Sequence, residues 1–155
     1  MDPFGLAAYA VLLEYGNSNT QALYDWAVSY QPANYNTVVI HGSPNGQFSE
    51  SPGGYSTVSP ESIAQYLKSL KGYDPKLPTQ LVACTAGASK TGAQALANAL
   101  GTLVLAPQQI LTAGPTPGSP PQAYSPNTFW GTLFLQPPPP PIIWIPFQPQ
   151  GGSIF

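Results

Sequence analysis

A three-layer α/β sandwich around a mostly parallel central sheet, with a hairpin added at its C-terminal edge, is the fold this sequence predicts. Three observations predict it. Val38-Val39-Ile40, Leu81-Val82-Ala83 and Leu103-Val104-Leu105 are continuous aliphatic runs without alternation, the pattern of strands buried on both faces of a parallel sheet. The segments between them carry helix start and stop signals, as the crossovers of a parallel sheet require. The length of 155 residues suits one domain with a real core.

Taken in order, Ala7 to Tyr15 is helix-compatible, with Gly16-Asn17 as its stop. Asn19 or Thr20 can cap a second helix through about Ser29, with Leu23, Trp26, Ala27 and Tyr30 on one face. Strand 37–41 follows and ends in His41, and Gly42-Ser43-Pro44-Asn45-Gly46 forms a turn. Residues 47–58, with Pro52-Gly53-Gly54, read as a loop or loose hairpin beside it. Ser59-Pro60-Glu61-Ser62 then announces a helix: Ser59 is the N-cap, Pro60 the first helical residue, and an acid sits in the first turn. Ile63, Tyr66, Leu67 and Leu70 form its apolar stripe, and Gly72 ends it.

Asp74-Pro75 and Pro78 turn the chain into strand 79–84, which stops at Cys84. Thr85 to Gly92 lacks the Gly-Lys-Ser/Thr order of a phosphate loop. It reads instead as a small-residue turn that brings backbone N–H groups near Cys84, where they can hold an oxyanion. An Ala-rich helix over 91–100 ends at Gly101, Thr102–Ala106 is a third strand, and right-handed crossovers join the three strands. The last third changes character. Residues 107–128 are rich in Pro, Gly, Gln and Ser; two aromatic runs, 128–135 and 142–147, then flank the prolines Pro137 to Pro141. These runs predict the edge hairpin, with Pro146 favouring an edge and the proline run a stiff connection.

Composition narrows the function classes. Charged residues make up 6% of the chain, against about 25% in ordinary domains; there is no arginine, and the net charge is −2. No basic footprint for nucleic acid exists, which sets nucleases aside. A single cysteine excludes an internal disulfide framework and a Cys-based zinc site, and no metal or other cofactor is expected. No apolar run approaches the roughly 18 residues of a membrane span, and no basic segment followed by an apolar core marks a signal peptide.

The residues that carry chemistry are the sole histidine and sole cysteine, each at the end of an apolar run. Open α/β sheets place their sites at the carboxyl ends of the strands. If the two strands are neighbours, His41 and Cys84 make a base and its nucleophile. The alternatives are a buried Cys acting as a small hydrophobe and a structural, hydrogen-bonded His. Asp25 is either an exposed helical acid or the carboxylate that orients His41.

Two resemblances sharpen this. Val38-Val39-Ile40-His41-Gly42 and Leu81-Val82-Ala83-Cys84 resemble the paired strand-end signature of the caspase-like cysteine peptidases. That resemblance covers residues 36–107 and implies Cys84 as nucleophile and His41 as proton-handling partner. Gly42, Ala83 and Thr85 would lie at or beside the oxyanion site. No acidic pocket for a basic substrate side chain and no basic cluster for a polyphosphate activator accompany the match. Asp2-Pro3-Phe4-Gly5-Leu6 resembles the motif that closes the shell of Rhs and Tc-type polymorphic toxins. This implies that residues 1–6 end a shell and that residues 7–155 are one toxin domain, with 107–155 its Pro-rich and aromatic part. Such a domain would be secreted and delivered into a target-cell cytosol. Its partners would be a protein substrate there, the encapsulating shell and a cognate immunity protein, with no nucleic acid and no membrane span. The competing class is an ADP-ribosyltransferase or other NAD-consuming cargo, for which Glu50 and Glu61 lack a convincing motif and arginine is missing. A non-enzymatic binder working through the aromatic C-terminal third is the remaining class.

Overall fold

The computed structural model describes residues 7–15, 18–52, 56–124 and 140–150. The Asp2–Leu6 motif, Gly16-Asn17, the aromatic run 128–135 and most of the proline run lie outside them. The described chain is a mixed α/β domain. Its elements are β1 (Tyr9–Leu12), α1 (Ser18–Ser29), β2 (Asn36–Gly42), β3 (Phe48–Ser49), β4 (Thr57–Val58), α2 (Pro60–Ser69), β5 (Thr79–Val82), α3 (Ala86–Ser89), α4 (Thr91–Leu100), β6 (Val104–Pro107), β7 (Leu111–Thr112), β8 (Gln122–Ala123) and β9 (Trp144–Phe147).

Strands β1, β2, β5 and β6 run parallel in that spatial order. β9 closes one edge antiparallel to β6, and the short hairpin β3–β4 joins the other antiparallel to the end of β2. β7 and β8 form a separate two-stranded sheet. Among the described residues no helix is long and apolar enough to cross a membrane.

Both sheet faces are covered, as the unbroken apolar runs demand. Val38, Ile40, Leu81, Ala83, Val104 and Ala106 turn one face to Ile63, Ala64 and Leu67 of α2 and to Ala93, Leu96, Ala97 and Leu100 of α4. Val39 and Val82 turn the other way, against Trp26 and Ala27 of α1 and Tyr30 just after it. Tyr30 and Trp26 stack with ring centroids 5.4 Å apart. The helix starts follow capping chemistry: Ser59 accepts from the N–H of Ser62 at 3.1 Å, and Gly101 closes α4 in the left-handed region, which costs glycine nothing.

Three expectations change. Ala7–Tyr15 is not a helix: Tyr9–Leu12 pairs with Thr37–Ile40, so Ala8 and Ala10 reach one core and Tyr9 and Val11 the other. A run of four apolar residues fits either period, and the free parallel edge of β2 decided it. Tyr66 is exposed at 44%, leaving Ile63 and Leu67 to carry the stripe of α2. The third strand starts two residues late, at Val104, and ends on Pro107. The crossovers expected between the three strands keep one hand, since the chain steps from β2 to β5 to β6 with α2 and α4 on the same face; the added step from β1 to β2 passes through α1 on the other face.

Candidate functional site

Register brings the histidine and the cysteine together. Val39 pairs with Val82 in the parallel ladder; His41 stands two residues further along β2, and Cys84 two residues past the end of β5, which stops at Val82 and not at Cys84 as the sequence suggested. Neighbouring strands lie about 4.8 Å apart, and side chains two residues apart share a face. His41 and Cys84 therefore leave the carboxyl edge of the sheet side by side, on the α1 face. They line one cavity of about 50 Å³ together with Leu13, Trp26, Val39, Val82 and Leu111.

Gly42 makes this approach possible. A Cβ on Gly42 would stand 2.4 Å from the carbonyl oxygen of Cys84 and 3.2 Å from its nitrogen. The backbones are thus in contact, and only a residue without a side chain fits between them. Ala83 points the other way, into the α2–α4 core, and is 2% exposed. Its part is to alternate the strand so that Cys84 emerges on the cavity side.

The residue after Cys84 turns the chain sharply. Thr85 adopts φ 53°, ψ 13°, a left-handed conformation that a β-branched residue enters only under constraint. Its Oγ1 donates to the Cys84 carbonyl at 2.8 Å, and its N–H donates to the Gln109 carbonyl at 3.0 Å. That N–H is already committed, so Thr85 shapes the turn and is not a spare oxyanion donor. Lys90 also has a positive φ, 69°, with ψ −43°, where the single turn α3 breaks into α4.

His41 is half-buried, and its Nε2 has no hydrogen-bond partner among the described residues. Burial holds the imidazole below its ordinary pKa, and the charge of Glu14 acts in the opposite sense. The carboxylate whose field reaches His41 is therefore Glu14, which sequence reasoning missed. Asp25 is exposed on α1. Glu14 follows β1, and its N–H donates to the Glu50 carbonyl next to β3 at 2.8 Å. Only the discovery that residues 9–12 are a strand beside β2 puts it there.

The thiol is covered from above by the β7–β8 hairpin. The Leu111 N–H donates to Cys84 Sγ at 3.4 Å, and Sγ stands 3.7 Å from the Leu111 carbonyl oxygen. No hydrogen bond joins Sγ to the imidazole among the described residues. Leu111, Thr112 and Pro121 close the cavity over both groups. The hairpin is pinned to α1 by Trp26 Nε1 donating to Ser119 O at 2.9 Å and by the Gly118 N–H donating to Ser29 Oγ at 2.8 Å. This cover lies in the segment without sequence periodicity, so no sequence signal announced it. Among the described residues, no group of three or more His, Cys, Asp or Glu side chains is arranged to hold a metal ion.

Fold and site define a mixed α/β domain with a thiol and an imidazole lining one cavity at the carboxyl edge of adjacent parallel strands. The chain belongs to the family described as a domain of unknown function, DUF8616, whose model matches residues 13–122. The matched span runs from the end of β1 into β8 and includes His41 and Cys84. No curated protein and no solved structure matches the chain.

Proposed function

We propose that the domain is a cysteine peptidase with a Cys84–His41 dyad, on a caspase-like three-layer fold, acting as the delivered cargo of an Rhs or Tc-type toxin on a protein in a target-cell cytosol. The observation that carries this reading is the register: Val39 against Val82 sets the chain's imidazole and thiol on one face, at the end of neighbouring parallel strands, around one cavity. The chemistry follows from the environment. Burial disfavours the charged imidazolium, which suits His41 to act as general base toward Cys84. Sγ attacks the scissile carbonyl carbon as its proton passes to His41. The oxyanion forms beside Gly42 and the N–H of Cys84; His41 returns the proton to the leaving amine, and water hydrolyses the thioester. Leu111 must withdraw from Sγ before the thiol can transfer its proton, so the covered site is a resting form. The shell and a cognate immunity protein are the partners this reading entails.

The test is growth of a host expressing residues 7–155 as wild type, Cys84→Ala and His41→Ala, with mass spectrometry of new protein termini. Loss of toxicity together with loss of specific new termini in both variants is the expected result. Toxicity and cleavage that survive Cys84→Ala would overturn the reading.

A further inference from the structure

Among the described residues, helix roofs only half of the α1 face of the sheet. α1 spans β1, β2 and β5, whereas the same face beyond β5, where Trp144 of β9 stands, is bordered by proline-bearing segments. They leave a chamber of about 340 Å³, within the size range of ligand sites. Its floor is Tyr30, Gln80 and Trp144; Pro121, Pro141 and Ile142 are among its walls. Among the described residues, no charged residue lines it. Among the described residues, the chamber shares only Pro121 with the His41–Cys84 cavity.

One polar group in this chamber is oriented and unspent. Gln80 is 6% exposed, and its Oε1 accepts from the Tyr30 hydroxyl at 2.9 Å. This bond fixes the carboxamide and leaves its Nε2, with two N–H donors, without a partner among the described residues. A carboxamide held by its oxygen on the wall of a cavity is a donor waiting for an acceptor. The partly exposed ring of Trp144 beside it suits a flat or ring-bearing apolar group, whereas Tyr30 is stacked on Trp26 and offers only its edge and hydroxyl; the missing charge disfavours an ionic ligand.

We propose that this chamber binds an uncharged proline-containing peptide in the extended polyproline II form. A prolyl ring packs against Trp144, and a main-chain carbonyl accepts from Gln80 Nε2. The match is chemical. A polyproline II backbone makes no internal hydrogen bonds, so its carbonyls are free to accept, and each proline lacks the N–H that would otherwise need an acceptor. Its low conformational freedom reduces the entropy cost of binding to a shallow, neutral site.

The test titrates a decaproline peptide into the full chain carrying Cys84→Ala, followed by tryptophan fluorescence and by nitrogen-15 chemical shifts of the Trp144 indole and the Gln80 side-chain amide. Saturable binding that moves both signals is expected, weakened about 5- to 10-fold by Gln80→Leu and less by Tyr30→Phe. A Gly-Ser peptide of equal length is expected not to bind. Absence of saturable binding at millimolar peptide, or equal affinity in a folded Gln80→Leu, overturns the proposal. So does saturation of the chamber by adenosine while decaproline fails, which would mark a small-molecule site. If Gln80→Leu does not fold, the shift of the Gln80 amide in the chain with Gln80 intact decides the matter. Because the assay uses a chain without the thiol, its outcome is independent of peptidase activity.

Discussion

Replacing Gly42 by alanine is the most direct probe of how the two strand ends are joined. The new Cβ would stand 2.4 Å from the Cys84 carbonyl oxygen, 3.2 Å from the Cys84 nitrogen and 3.3 Å from the Ala83 carbonyl carbon. Non-bonded contacts of this kind are comfortable at about 3.4 Å and beyond, so the closest approach must open by about 1 Å. All three neighbours are backbone atoms, and no rotamer change relieves the clash. The end of β2 must move away from the start of the Cys84–Thr85 turn. Overpacking of this kind costs about 1–3 kcal/mol, and a shift near 1 Å in a reacting group costs about 100-fold in rate. Gly101→Ala is the matched control: nothing lies within 4 Å of its Cβ, but its φ of +71° makes alanine cost about 1–2 kcal/mol. Both variants are expected to lose stability by a similar amount in urea unfolding. Only Gly42→Ala should alter the iodoacetamide reactivity of Cys84 and remove peptide cleavage. If Gly42→Ala unfolds at the wild-type midpoint and keeps wild-type Cys84 reactivity, the close approach of β2 to Cys84 is refuted.

Three further outcomes are expected. His41 has its folded pKa lowered by burial, so below its unfolded value of about 6.5 the unfolded chain binds the proton more readily. Stability should therefore fall as pH drops through that value and level off below the folded pKa; urea midpoints from pH 7.5 to 5 should show this in wild type and not in His41→Gln. Loosening the hairpin over the thiol with Ser29→Ala, which removes the acceptor of the Gly118 N–H, should speed alkylation of Cys84 several-fold at a stability cost of about 1 kcal/mol; an unchanged rate would show that the cover does not limit access. Ser59→Ala removes the N-cap of α2 and should cost about 1 kcal/mol of stability without changing Cys84 reactivity, because α2 packs on the opposite face of the sheet.

Much of the fold was legible where local and tertiary demands agree. Ser59-Pro60 starts α2 and Gly101 stops α4 as their chemistry predicts. Val38-Val39-Ile40 and Leu81-Val82 are buried on both sides, as unbroken aliphatic runs suggest. Leu23, Trp26 and Ala27 share the inner side of α1 with Tyr30 just after it. Tyr9–Leu12 was misread because four apolar residues satisfy both a helical and a strand period; its partner, β2, lies about 28 residues away. β7 and β8 carry two residues each, too few for any period, and are held mainly by bonds to distant residues such as Cys84 Sγ and Ser29 Oγ.

By itself the sequence determined the alternation of apolar runs and capped helices, the near absence of charge, and the two strand ends on which the only imidazole and the only thiol fall. Those properties reside in neighbouring residues, and neighbouring residues suffice to read them. The tertiary structure alone decided that the strands are adjacent and in a register that sets His41 beside Cys84, that Glu14 rather than Asp25 supplies the charge felt by His41, and that Leu111 covers the thiol. Each of these depends on residues far apart in the chain coming into contact. Such contacts arise from burying two different sheet faces at once, a constraint that acts on the whole chain and leaves no local mark.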